Sequence, residues 1–286
     1  MQYSFVTTED GSPTLRFGSG ENLSEAMHSL KGAFSETAYI YGSAIDRMLE
    51  EGFQPRVLSL GLGLGYVELL AAGLALKKAS LSNPEEAERI RSRFGGESFE
   101  IVSELRDWFT LWLETNEPTT DEITADPLET HPLETHTLDA DKKILIPEEF
   151  KNAYSQILER TAVETSLPSR EIKAWLAELV RTDRWRIRPA LDHQTSFADS
   201  FGCICFDAFS SKTSPDLWTE DFLLAFFQKT AAQGAVLSTY ACTGALKRSL
   251  RRAGFDLMIR EGFSSKRDST FAIRPSSWAK QSDEDV

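Results

Sequence analysis

Apolar residues before Gly52 recur at helical spacing. Ala38, Ile40, Tyr41, Ile45 and Met48 fall on one face, with Ser35 as a candidate cap, so this lead-in is predicted to finish on a helix. Residues 56–60 (RVLSL) form a short apolar run of strand type. Gly61, Gly63 and Gly65 follow at once, and then a Leu- and Ala-rich helical stretch over 66–76. A strand, a glycine turn and a helix in direct succession open a nucleotide-binding α/β unit. Residues 84–94 begin with Pro and two Glu, which suits a helix first turn, and 99–114, 147–159 and 169–181 also read as helices. Between them lies a polar, Pro-containing stretch in which PLETH occurs twice in tandem over 127–136. Two such copies are too few for a solenoid and read as an exposed acidic loop.

The second half alternates. Strands are predicted at 185–190, 202–206, 235–240, 255–260 and 269–273, with helices at 216–232 and 243–253. Only a short loop joins the last two strands, too short for a helical crossover, so they must pair antiparallel at the end of an otherwise parallel sheet. A doubly wound sheet ending in such a hairpin is the layout of Rossmann-like class I methyltransferases. The expected organisation is a lead-in over 1–52 packed on the core, then a catalytic domain over 53–286 with an acidic insertion at about 95–180.

Composition narrows the partners. The net charge is −13, yet its distribution is uneven: 121–141 carries seven acidic residues and no Lys or Arg, whereas 240–274 holds eight basic residues against three acidic. A polyanion therefore has a docking side at the C-terminal end, although such a basic stretch is also what a solvated helix face looks like. No apolar run approaches the length of about 18 residues needed to cross a membrane. Cys203, Cys205 and Cys242 lack zinc-ligand spacing, and an odd count without a secretory leader points to reduced thiols in a cytoplasmic protein. His131 and His136, five apart in the acidic loop, are poorly pre-organised for a metal, and none is expected.

Gly61-Leu62-Gly63-Leu64-Gly65-Tyr66 departs from the dinucleotide fingerprint, whose third glycine stands at the sixth position. The Gly-x-Gly-x-Gly version suits a backbone that approaches the methionine part of S-adenosyl-L-methionine and cradles no phosphate. The other reading is a tight strand-to-helix turn without a ligand. Cofactors of this type need a carboxylate after the second strand, about twenty residues past the glycines. At that place the chain reads Ala79-Ser80-Leu81-Ser82-Asn83-Pro84, with no acid before Glu85. Asp192, after the strand at 185–190, is a candidate adenine contact or else a solvated turn residue; His193 beside it reads as a surface residue.

The strongest constellation is 207–218 (DAFSSKTSPDLW), which starts where a buried strand ends, the edge at which open α/β sheets bind ligands. A carboxylate there is costly unless it is partnered or functional. Methyl transfer to an amine needs a neutral, oriented nitrogen lone pair, and Asp207 is the candidate that orients the amine and takes or shares its proton. It is otherwise a cap on the following loop. Phe209 is a candidate wall of the cofactor or base, whereas Trp218 reads as core.

This segment resembles the D-[GA]-F-[AS]-P-x-[KR]-N-P-x-x-W signature of the tRNA 5-methylaminomethyl-2-thiouridine methyltransferase (MnmC-like) family, with Ser211 and Ser214 in place of its Pro and Asn. In the same order, residues 10–15 (DGSPTL) look like the family's opening. Met27-His28-Ser29, Gly32-Ala33 and Glu36 resemble its Tyr-His-Ser, Gly-Ala and Glu positions. Residues 262–268 (GFSSKRD) resemble its hairpin loop. The likeness covers 1–76 and about 185–275. It implies a stand-alone enzyme transferring methyl from S-adenosyl-L-methionine to the aminomethyl group of a tRNA wobble uridine. Gly61, Gly63, Gly65, Glu36, Asp192 and Phe209 would hold the cofactor, Asp207 would be catalytic, and Lys212, Lys266 and Arg267 would meet the substrate. The alternatives are a small-amine or protein methyltransferase, or a non-catalytic Rossmann-like binding module, which the missing second-strand acid favours.

Overall fold

The computed structural model describes residues 3–19, 22–115, 144–207, 215–264 and 268–276. The chain opens with a three-stranded antiparallel sheet, β1 (Tyr3–Thr7), β2 (Pro13–Ser19) and β3 (Asn22–Ala26), where only a lead-in was predicted. Helix α1 (Ala33–Thr37) passes through a π-helical turn, Ala38–Gly42, into α2 (Ser43–Glu50). Ser35 is not the cap. It lies inside α1 and bonds to Asp10, which accepts the Ser35 amide at 3.0 Å and hydroxyl at 2.7 Å.

The core continues with β4 (Arg56–Leu60), α3 (Tyr66–Leu81), α4 (Pro84–Arg93), β5 (Gly95–Phe99), α5 (Ser103–Glu114), α6 (Glu148–Thr165) and α7 (Ser169–Arg181). After β6 (Trp185–Arg188) and β7 (Phe201–Phe206) come α8 (Glu220–Thr230), β8 (Ala231–Thr239), α9 (Gly244–Arg252), β9 (Asp256–Met258) and β10 (Thr270–Arg274). Seven strands form one sheet in the order β6-β5-β4-β7-β8-β10-β9. Neighbours from β6 to β8 are parallel, and β10 runs antiparallel to both β8 and β9. This is the Rossmann-like class I methyltransferase arrangement, with the antiparallel pair where the short loop required it.

Both faces of the sheet are covered, so its central strands read as apolar runs rather than alternations. Val57, Cys203, Cys205 and Val236 face the cluster under α2, α3 and α5–α7. Their neighbours Leu58, Ile204, Phe206 and Leu237 face the cluster under α8 and α9, as the two-residue period of a strand dictates. Helix α3 is buried along almost its whole first three turns, which is why it is Leu- and Ala-rich rather than amphipathic.

Two expectations fail together. Residues 99–114 are not one helix, because Phe99 ends β5 and α5 starts at Ser103. The second strand is also not near Ala79, where α3 still runs; it is β5, reached only after α4. Within 95–180, therefore, Gly95–Phe99 pairs with β4 and belongs to the sheet. The tandem PLETH segment with His131 and His136 lies outside the described residues.

Candidate active site

The carboxyl ends of β4, β5 and β7 meet at the glycine turn. The amides of Gly61 and Leu62 donate to the Phe99 carbonyl at 3.0 and 3.1 Å, tying the turn to the end of β5. On its other side Gly61 has φ 105°, and a Cβ there would sit 2.7 Å from the Asp207 carbonyl oxygen. The turn is wedged between two strand ends at a spacing no side chain permits. Gly65, at φ 75°, starts α3, and a Cβ on it would come within 2.2 Å of the Phe109 ring on α5. Gly63 donates its amide to Glu100 Oε2 at 2.9 Å.

Glu100 is the acid the sequence seemed to lack. It directly follows β5, is 3% exposed, and accepts the Val102 amide on Oε1 at 2.9 Å as well as Gly63 on Oε2. Burial raises its pKa, and the amides of Val102 and Gly63 pull against that. A carboxylate has about four lone-pair sites. Two amides therefore leave acceptor capacity for a ligand.

Glu100 lines an open cleft of about 310 Å³ with Gly61, Ile101, Asp192 and Asp207, and residues 215–217 close one side. Ile101 presents a 66% exposed apolar side chain beside the acid. Asp192 folds its carboxylate into its own turn, accepting the Gln194 amide at 3.0 Å and the Thr195 hydroxyl at 2.8 Å. The Thr195 hydroxyl is the main reason its pKa is lowered. Asp207 directly follows β7 and lines the cleft beside Gly61. The described lining contains the carboxylates Glu100, Asp192, Asp207 and Asp216 and no Lys or Arg. Such a cleft repels phosphates and favours hydroxyls, amines and cationic groups.

Gly63, Gly65 and Glu36 support the site without lining this cleft. Glu36 is 7% exposed and accepts the Ser29 amide at 2.7 Å, holding the segment after β3. That segment crosses the glycine turn, since Met27 Sδ lies 3.5 Å from where a Gly63 Cβ would be. Tyr66 fastens the small sheet to α3, donating to the Pro13 carbonyl at 2.6 Å and packing its ring 4.7 Å from that of His28. Phe209, Lys212, Lys266 and Arg267 lie outside the described residues.

Comparison with known proteins agrees with this geometry. A family model described as S-adenosyl-L-methionine-dependent methyltransferase matches residues 148–275. The match supports a methyltransferase, and the chain's likenesses are MnmC-like. The chain is similar to the tRNA 5-methylaminomethyl-2-thiouridine biosynthesis bifunctional protein MnmC of Ralstonia nicotianae, at 40% identity over 81 residues, covering 28% of this chain and 12% of that protein. The protein of the same name from Caulobacter vibrioides is 35% identical over 86 residues, covering 30% and 14%. The matched stretches thus span a small part of these relatives. Among solved structures, MnmC2 from Aquifex aeolicus shares the fold with a TM-score of 0.54 and 20% identity, over 97% of this chain and 72% of that one. The family match begins at α6, inside the stretch left unmatched by the sequence resemblance. No described helix is long and apolar enough to cross a membrane, and no described cluster of three His, Cys, Asp or Glu is arranged to hold a metal.

Proposed function

We propose that this chain methylates the 5-aminomethyl group of a tRNA wobble uridine with S-adenosyl-L-methionine as donor. The observation that carries the reading is the carboxylate-lined cleft at the carboxyl ends of β4, β5 and β7. The printed names of the relatives supply the substrate class.

The residues suit this cofactor. Gly61 leaves backbone exposed beside the Asp207 carbonyl, where any side chain would fill the space. Glu100 retains acceptor capacity for a ribose diol, Ile101 offers an apolar face for adenine, and Asp192 lies across the cleft as a polar neighbour of the base. The acidic lining attracts a cationic sulfonium. When bound, S-adenosyl-L-methionine supplies a methyl group that an in-line nitrogen lone pair displaces from sulfur.

Asp207 then handles the amine. An ammonium has no lone pair, so the carboxylate accepts its proton or holds the neutral amine in line through a hydrogen bond. Phe209, two residues on, would wall the reacting groups. Glu36 would act through the Met27–Ser29 segment that it holds over the glycine turn. The tRNA phosphates would meet Lys212, Lys266 and Arg267 together with Arg251 and Arg252, which are exposed on α9. Arg248 is engaged by Glu220.

Asp207→Ala tests the assignment. The transfer rate is expected to fall about a hundredfold or more, the scale of a positioned acid–base group, while cofactor affinity changes little. A rate within about threefold of the unsubstituted protein would make Asp207 a structural cap and overturn this mechanism.

A further inference from the structure

The π-helical turn Ala38–Gly42 interrupts a continuous run of helix from α1 to α2 and carries Tyr39 at the surface. A π turn adds one residue to the helix and re-aims its side chains, and such turns occur disproportionately at functional sites. Tyr39 is 39% exposed, yet its ring is held in place. Its hydroxyl donates to the Glu261 carbonyl at 3.0 Å, the Arg260 guanidinium lies 5.3 Å over the ring, and the Phe263 ring stands 6.2 Å away at 42°. The result is a pre-set aromatic surface that meets solvent.

The cation behind that ring lacks a counter-charge. Arg260 donates to the Ile40 carbonyl at 3.2 Å, to Ser238 Oγ at 2.9 Å, to Ser269 Oγ at 2.8 Å and to Ser43 Oγ at 3.3 Å, and it lies 5.0 Å over the Phe271 ring. Each of these partners is neutral, and no carboxylate pairs with Arg260 among the described residues. A half-buried cation of this kind is costly to keep, and its field remains available to an anion from outside. The group also stands at the edge of the sheet where the cleft opens. Strand β9 is antiparallel to β10, which is antiparallel to β8, so β9 runs in the sense of β4, β5 and β7 and ends where they end. Ser238, which holds the guanidinium, is in register with Cys205, two residues before Asp207. At about 4.8 Å between strands and 3.3 Å per residue, the guanidinium lies on the order of 10 Å from Asp207.

We propose that Tyr39, backed by Arg260 and flanked by Phe263, is a stacking platform for an unpaired nucleobase of the RNA substrate, beside the nucleotide that enters the cleft. Splayed bases of RNA loops stack on aromatic rings and guanidinium planes. A nucleotide brings both a π face for the ring and an anionic phosphate for the uncompensated cation, whereas an apolar peptide would leave that charge unanswered. This rests on the reading of the substrate as tRNA.

Tyr39→Leu keeps the apolar bulk and removes the π face. In fluorescence-anisotropy titrations with tRNA from cells lacking this methylation, its Kd should rise about tenfold, the scale of one lost stacked base, while the protein stays folded and keeps its affinity for S-adenosyl-L-methionine. Tyr39→Phe keeps the ring and should restore tRNA binding to within about threefold of the unsubstituted protein. The same tRNA carrying 4-thiouridine beside the wobble position should photocrosslink to the peptide that contains Tyr39. A Tyr39→Leu protein that binds tRNA within about threefold of the unsubstituted one, or crosslinks that miss Tyr39, refutes the platform and leaves the tRNA reading intact as long as the unsubstituted protein methylates tRNA. Equal losses in Tyr39→Leu and Tyr39→Phe assign the effect to the hydroxyl bond and refute stacking. Loss of the fold or of cofactor binding in Tyr39→Leu makes the ring structural and overturns the proposal. An unsubstituted protein that binds no tRNA overturns the functional reading first.

Discussion

Glu100→Gln separates a ligand-holding acid from a purely structural one. Both carboxylate oxygens are engaged by amides at 2.9 Å, Gly63 on one and Val102 on the other. The amide side chain is isosteric but keeps a single acceptor oxygen, so either Gly63 or Val102 then faces an NH2 group. Losing one hydrogen bond to a charged acceptor costs about 1.5–3 kcal/mol, and relief from burying a charge offsets part of it. For a domain of this size the melting temperature should fall by roughly 2–10 °C, leaving the fold intact. The effect on ligand binding is larger in proportion. A ribose diol held by the spare lone pairs would lose at least one charge-assisted bond, so S-adenosyl-L-methionine affinity should drop about 10- to 100-fold. Titration calorimetry with the cofactor and with S-adenosyl-homocysteine reads this directly, and circular dichroism checks the fold. Affinity within threefold of the unsubstituted protein in a folded variant would refute the assignment of Glu100, and with it the fit of the cleft to this cofactor.

Gly65→Ala sets a Cβ into the Phe109 ring at a positive φ; it should destabilise the protein by about 2 kcal/mol or more in urea unfolding and weaken cofactor binding, and an unchanged midpoint would contradict the packing described. Glu68, fully buried beneath the sheet with the Ser98 hydroxyl on one oxygen at 2.7 Å, has its pKa pushed up to about 7 by that burial. A raised folded-state pKa means that its contribution to stability is complete below the ordinary carboxylate value and is lost as pH rises through about 7. Glu68→Gln should therefore stabilise the protein at pH 8 by up to about 3 kcal/mol and not at pH 4, and parallel stability–pH curves for the two proteins would exclude this. Lys266→Glu with Arg267→Glu should weaken tRNA binding and flatten its salt dependence without altering cofactor affinity, and an unchanged salt slope would remove that loop from the docking surface.

The parts that were legible in the sequence obey local rules. RVLSL is a strand buried on both faces, and Gly61, Gly63 and Gly65 all take positive φ, with Gly61 against the Asp207 carbonyl and Gly65 against the Phe109 ring. The loop between β9 and β10 is too short for anything but an antiparallel pair. Strand β5 escaped notice because its sequence, GGESF, carries no apolar run. Its glycines are demanded by close approach, since a Cβ on Gly95 would meet the Arg184 carbonyl at 2.2 Å. Its Glu97 is fully buried yet paired with Arg186 at 3.0 Å and Arg188 at 2.8 Å from β6. Tertiary pairing thus hid a core strand behind polar residues, and Glu100 with it. Two signals were present: the alternating arginines of WRIR, and the need of a parallel sheet for another strand after two successive helices. The π turn has no such local mark. The bonds that hold it come from Ser238 and Arg260, about two hundred residues away along the chain.

The central claim is methyl transfer to an aminomethyl-uridine in tRNA. Its most direct test is incubation of the protein with S-adenosyl-L-methionine carrying a deuterated methyl group and tRNA from cells lacking this modification, followed by nuclease digestion and mass spectrometry. The deuterated methyl is expected on the aminomethyl group of the wobble uridine, and it should be absent when Asp207→Asn replaces the unsubstituted protein. Label on a different nucleoside, or none on tRNA from a protein that binds the cofactor, would contradict the account.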